Sequence, residues 1–321
     1  MHTNSYRQTS NWYPAQFFNA ATPPPSPFAI LVLNHPINEN AYKILKKHAS
    51  FTICADGGAN RFYKLMEQWG KADVELPNAI VGDLDSITPS VKKHYEDLHV
   101  PIIHDPDQET TDFTKCLHYL RTHADEIISS SPSPSTQKGQ PLDILVLGGL
   151  GGRVDQALSQ IHHLCLAATP PPNHQTQTQT HTPSSPSSPL GTLYLISAEN
   201  ITFILRPGTN HIHTPGGSHM NLPAALRPPP FDSWSPLAQN IGIMPIAGPA
   251  VISTSGLEWD VVEWRTAFGG RMSTSNHVRA EVVSVETDVK VLFTVEMGEG
   301  GRGGGGVLSR GEVGKGGRGL L

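Results

Sequence analysis

The sequence is short of charge and of cysteine, and it has no long apolar run. Charged residues make up only 16% of its 321 positions, against roughly 25% in an average globular chain. A net charge of -5 excludes a global attraction for nucleic acid or anionic lipid. Three cysteines (Cys54, Cys116, Cys165), none in a C-x-x-C, exclude a disulfide scaffold or a thiolate zinc site and fit a reducing compartment. The longest clean apolar stretch, residues 28–33, is far below the ~18 residues needed to cross a bilayer. The N-terminus lacks the basic start and apolar core of a secretory signal, and it lacks an Arg-rich amphipathic pattern. A soluble cytoplasmic protein is expected, with no membrane and no nucleic acid as partner.

Glycine and proline, by contrast, are in excess, at 30 and 28 residues, where the two usually make up roughly 12% of a chain. Most of that excess falls in filler. Residues 1–26 read as a disordered lead, 129–141 and 169–189 as Ser/Pro/Gln inserts, 215–236 as a Pro-rich insert, and 298–321 as a Gly-rich disordered tail. The tail contains a formal G-x-G-x-x-G at 301–306, but no strand leads into it and no helix follows, so it is compositional.

Between the fillers the pattern is ordered, and the length fits two domains at about 150 residues each. Residues 28–33, 51–55, 79–81, 100–103 and 143–147 are mainly apolar and continuous rather than alternating, as strands buried on both faces should be. They alternate with helical stretches at 40–48, at 60–69, from 111/112, and from 154. In the helix from 154, Ala157, Leu158, Ile161, Leu164 and Cys165 face one way. This predicts an α/β domain with a mostly parallel sheet over 27–189. From 190 to 297 short strands follow one another (193–196, 201–205, 241–246, 250–254, 258–263, 282–285, 289–295) with no helical stripe, predicting an all-β sandwich domain.

Acidic residues cluster where strands of the first domain end: Asp56 after 51–55, Asp83 and Asp85 after 79–81, and the run from Asp105 through Gln108 to Asp112 after 100–103. Chemistry in such sheets gathers at the carboxyl ends of strands, and Mg²⁺ takes oxygen ligands from one or two carboxylates plus phosphates. Asp83 and Asp85 could straddle such an ion, with Asp112 joining from a helix start. Any single Asp here is equally at home as a turn residue or helix cap; the set at successive strand ends is what points to a site. Gly148-Gly149-Leu150-Gly151-Gly152-Arg153 joins the strongest strand to a helix. It is either a tight turn or a phosphate cradle, and it lacks the G-K-[ST] of a Walker loop. His211-x-His213 and His162-His163 have no companions at metal-ligand spacing.

C-A-D-G-G-A-N-R (54–61), V-G-D-L-D-S-I (81–87), D-P-D-Q-E-T-T-D-F-T-K-C-L (105–117) and L-G-G-L-G-G-R-V-D-Q (147–156) follow in the order and spacing of the thiamine pyrophosphokinase family. Gly256-Leu257-Glu258-Trp259 and Ser273-Thr274-Ser275-Asn276 extend the resemblance into the second half. It implies transfer of a diphosphoryl group from ATP to the hydroxyl of thiamine, releasing AMP, by a homodimer with active sites at the subunit interface. It also implies Mg²⁺ held by Asp83, Asp85 and Asp112 beside Gln108, and an ATP pocket lined by Asp56, Asn60, Arg153 and Asp155. Trp259 would stack on thiamine while Ser275 and Asn276 position it. Either Asp85 or Asp112 would accept the hydroxyl proton. Two alternatives stand beside this reading: another D-x-D metal-dependent transferase using a nucleotide donor, and an inactive thiamine- or nucleotide-binding module.

Overall fold

The computed structural model describes residues 8–131, 140–168, 190–214 and 236–298. The inserts at 169–189 and most of 129–141 and 215–236, the start of the lead and the tail from 299 lie outside the described residues. The chain forms two units, one from Pro14–Ile204 and one from Met1–Tyr13 with Leu205–Leu321.

In the first unit each apolar run is a strand. β2 (Phe28–Val32), β3 (Phe51–Ala55), β4 (Ala79–Gly82), β5 (Ile102–His104), β6 (Leu142–Leu147), β7 (Leu190–Ile196) and β8 (Asn200–Leu205) lie in the order β8-β7-β6-β2-β3-β4-β5. All neighbours are parallel except β8, which runs antiparallel to β7. Every residue of β2 and β6 is buried, as expected where helices cover both faces. The helices are α1 (Glu39–Leu45), α2 (Gly58–Gln68), α3 (Pro89–Asp97), α4 (Asp112–Thr122), α5 (Ala124–Ser129) and α6 (Val154–Ala167). α4 buries Phe113, Cys116 and Leu120 on one stripe. The stripe expected along α6 is only partly covered, with Leu164 buried but Leu158 60% and Val154 74% exposed. The strand order reverses between β2 and β6, and a crevice at such a switch point is where open α/β sheets bind ligands. No helix among the described residues is long and apolar enough to cross a membrane.

The second unit is made of strands, with no helix among its described residues. β1 (Thr9–Trp12), β9 (Gly208–His213), β14 (Val282–Thr287), β11 (Ala250–Ser255) and β12 (Trp264–Thr266) lie side by side in that order. β13 (Ser273–His277), β10 (Leu237–Met244) and β15 (Val291–Met297) form a second antiparallel group. Ile212, Val283, Val285 and Ile252 from the first group are buried, as are Ile241, Ile243, Phe293 and Val295 from the second.

Three expectations are corrected. The lead is not disordered throughout: β1 pairs in parallel with β9, and Phe17 and Phe18, later in the lead, are fully buried. The first unit does not end at 189, because β7 adds to β6 in parallel and brings β8 with it. Residues 258–263 are not a strand. The Asp260 carboxylate accepts from the backbone N–H groups of Gly256 (3.0 Å) and Leu257 (3.1 Å) and from the Thr254 hydroxyl (3.0 Å), which folds the segment into a turn instead.

Candidate active site

At the carboxyl ends of β3 and β4 the chain turns sharply. Asp56 follows β3 with φ 37°, and Leu84, just past β4, has φ 65°. Positive φ at non-glycine residues is uncommon and is held only by surrounding contacts. For Asp56 the contacts are visible: its buried carboxylate accepts from Ser86 N–H (2.8 Å) and Ile87 N–H (3.0 Å). Asp112 opens α4 behind the N-cap Thr111, whose hydroxyl accepts from Thr114 N–H, so its carboxylate sits where the helix dipole favours negative charge. It accepts from Asp83 N–H at 3.2 Å. One carboxylate oxygen from each of Asp56, Asp83 and Asp112 lies within 4.8 Å of the others. Gly82 lets them meet, since a Cβ there would fall 2.6 Å from Asp56 Cβ and 2.9 Å from Asp112 Oδ1.

Electrostatics separate the three. Burial pushes the Asp112 carboxyl above its ordinary value, against the Asp83 N–H and Lys115, which favour its charge, while the charge of Asp83 adds to the rise. Burial likewise raises Asp56 against the two backbone N–H groups that favour its charge. Asp83 is also pushed up by burial, but the Asp85 N–H, Lys115 and Gln108 together outweigh that and hold it below the usual carboxylate range. Gln108 Nε2 donates to Asp83 Oδ2 at 3.2 Å. Three converging carboxylates are a donor set that could hold a hard divalent cation.

Asp56, expected in the ATP pocket, converges with Asp83 and Asp112, and the Asp85 side chain interacts with both Asp56 and Asp83. Asp85 is exposed at the rim, where its Oδ1 accepts from the Ser86 hydroxyl at 2.7 Å. Asn60 braces the same turn, donating to Ser86 O (2.9 Å) and accepting from Thr88 N–H (3.0 Å). Arg153 and Asp155 are exposed and pair with each other at 2.5 Å; that pairing lowers Asp155 and raises Arg153.

Sequence reading missed four neighbours. Lys115 is buried beneath the trio, with Nζ 3.4 Å from Asp112 Oδ1 and 3.7 Å from Asp83 Oδ2. Its spacing of three from Asp112 on a helix was the available signal. Asn34 and His35 follow β2 at the switch point, and Arg61 Nε donates to Asn34 Oδ1 at 3.1 Å. The glycine loop closes over His35, since a Cβ on Gly151 would fall 2.1 Å from the imidazole. Burial, then the Arg61 charge, hold that imidazole below its ordinary value.

In the second unit, Trp259 is 56% exposed on the turn that Asp260 organises. Asn276 is buried, and its amide is spent on backbone: Oδ1 accepts from Trp259 N–H (3.2 Å) and His277 N–H (2.8 Å), while Nδ2 donates to Trp259 O (2.9 Å). It therefore positions Trp259. Ser275, exposed on β13, has φ 55°. The His277 ring lies 5.2 Å from the indole, and its Nδ1 is 2.6 Å from Glu258 Oε2. Arg279 pairs with the same carboxylate, and His277 and Arg279 together hold Glu258 below its usual range.

Residues 42–173 match the family model described as thiamin pyrophosphokinase, catalytic domain, and residues 232–292 match its vitamin B1 binding domain. Thiamine pyrophosphokinase 3 of Oryza sativa subsp. japonica is 30% identical over 282 residues, covering 84% of this chain and 87% of the relative. The Saccharomyces cerevisiae thiamine pyrophosphokinase is 28% identical over 303 residues, covering 84% and 85%. The solved structure of yeast thiamin pyrophosphokinase has the same fold, with a TM-score of 0.69 at 23% identity over 92% of this chain and 94% of that one. The Candida albicans structure gives 0.68 at 24% identity, over 90% and 93%.

Proposed function

The chain belongs to the thiamin pyrophosphokinase family, and from that premise we infer that it transfers the diphosphoryl group of ATP to the hydroxyl of thiamine, giving thiamine diphosphate and AMP. The observation that carries the site assignment is the meeting of Asp56, Asp83 and Asp112 at the carboxyl edge of the parallel strands. The rival readings, a transferase with another nucleotide donor and an inactive binding module, draw no support from the relatives.

Phosphoryl transfer asks for positioning and charge neutralisation more than for covalent help. In this reading ATP lies over the β2/β6 switch point, its phosphates along the glycine loop, with Asn34, His35 and Arg61 on one side. Asp56, Asp83 and Asp112 suit Mg²⁺, which when bound would neutralise charge on the polyphosphate. Gln108 orients Asp83. The thiamine hydroxyl oxygen bonds to the β-phosphorus as the bond to the α,β-bridging oxygen breaks, and AMP leaves with that oxygen. The hydroxyl proton goes to a carboxylate. Asp85, beside Asp56 and Asp83 and open to solvent, stands where it can join that ion or take the proton. Asn60 holds the turn that carries Asp85, and Arg153 and Asp155 form the outer rim of the ATP pocket. Trp259 offers an aromatic face to the cationic thiamine, on a turn fixed by Asn276, and Ser275, exposed on β13, helps to position the substrate.

Two further parts of the reading concern setting. The exposed apolar side chains Val154 and Leu158 on α6 are of the kind that a homodimer covers, and active sites at that interface belong to the same reading. A cytoplasmic location accords with the buried thiols of Cys54 and Cys116. Asp83→Asn tests the site: thiamine diphosphate formation should fall at least about 100-fold with an unchanged thermal melt. Undiminished formation would remove Asp83 from the chemistry.

A further inference from the structure

Lys115 lies in the run 105–117, yet the reaction as written gives it no role. It lies three residues after Asp112 on α4, and its side chain is 1% exposed. The two carboxylates it reaches, Asp112 Oδ1 at 3.4 Å and Asp83 Oδ2 at 3.7 Å, belong to the trio of Asp56, Asp83 and Asp112. A lysine is almost never fully buried unless paired, and here both partners are groups assigned to the divalent cation.

That arrangement has a consequence for loading. Three carboxylates crowded together would by themselves attract any free divalent cation. With the ammonium fixed against two of them, a bare cation must share its ligands with a positive charge held in a poorly screened place. A cation that arrives on a polyphosphate brings its own oxygen ligands and several negative charges, which the same ammonium favours. We propose that Lys115 is a built-in counter-cation that makes the acidic site take its divalent cation together with the polyphosphate rather than alone. It is a positioning residue in this role, and the proposal rests on the assignment of Asp56, Asp83 and Asp112 as the metal site.

The test follows bound Mn²⁺ by electron paramagnetic resonance on the full chain, without nucleotide and then with α,β-methylene-ATP, whose scissile linkage is blocked. The wild type should bind Mn²⁺ weakly alone and tightly with the analogue. Lys115→Met should bind Mn²⁺ alone at least about tenfold more tightly, so that the analogue adds less, whereas Lys115→Arg should behave as wild type. A purely structural lysine would predict the opposite, a loss of binding in both conditions. Unchanged or weaker Mn²⁺ binding by Lys115→Met in the absence of nucleotide overturns the proposal. If that variant has no cooperative melt, Lys115→Gln, which keeps a donor for Asp112, carries the same comparison. Wild type that binds Mn²⁺ equally well with and without the analogue overturns it with no variant at all. Failure of the metal-site reading looks different: Mn²⁺ binding with the analogue would then be the same in Asp83→Asn as in wild type.

Discussion

Single residues carry both the chemistry and some of its costs. Asp143, in β6, is buried far from the acidic edge and accepts from Thr192 N–H at 2.7 Å. Burial pushes its carboxyl up to about 6. Raised above its unfolded value, this group contributes most to stability at low pH, and the contribution is lost as pH rises through about 6. Asp143→Asn should therefore be more stable than wild type at pH 8 by on the order of 2 kcal/mol. The advantage should shrink towards pH 4, as read by urea denaturation at each pH. A gap independent of pH would mean that Asp143 ionises as it does in the unfolded chain. Trp259 is the counterpart on the substrate side. Trp259→Ala should raise KM for thiamine by the equivalent of about 0.5–2 kcal/mol and leave KM for ATP unchanged. An effect on ATP alone would take Trp259 out of the thiamine site.

At the scale of elements, legibility followed the range of the forces involved. β2, β3, β4 and β6 were legible because strands buried on both faces must be mostly apolar without alternation, and each is, apart from Thr52 in β3 and Asp143 in β6. The acidic edge was legible for the same reason: once strand ends are located, so are Asp56, Asp83 and Asp112. Lys115 was not, because its meaning comes from burial against residues on two other segments. β1 was hidden for a similar reason. Thr9–Trp12 alternates no apolar residues, and its anchor, Trp12 Nε1 donating to Asn210 Oδ1 at 2.9 Å, lies 198 residues away. That anchor gives β1 a measurable weight. Trp12 is 6% exposed, so Trp12→Ala should destabilise the second unit by about 3–5 kcal/mol, with amide exchange in β9 accelerated. Protection in β9 equal to wild type would mean that the strand pairs without contributing stability.

At the scale of the whole molecule, the excess of glycine and proline came from the inserts and tail more than from the two folded units. The change from strand–helix alternation to strands alone was plain in the sequence, and it gave the fold class. The junction between the units was not, because β7 and β8 look like any short strands until β7 pairs with β6. As a member of the thiamin pyrophosphokinase family, the chain is expected to move two phosphoryl groups in one step. ATP labelled at the β-phosphorus, incubated with the protein, Mg²⁺ and thiamine, tests this most directly. The label should appear in thiamine diphosphate, with unlabelled AMP as the nucleotide product; label retained in ADP beside a thiamine monophosphate would contradict it.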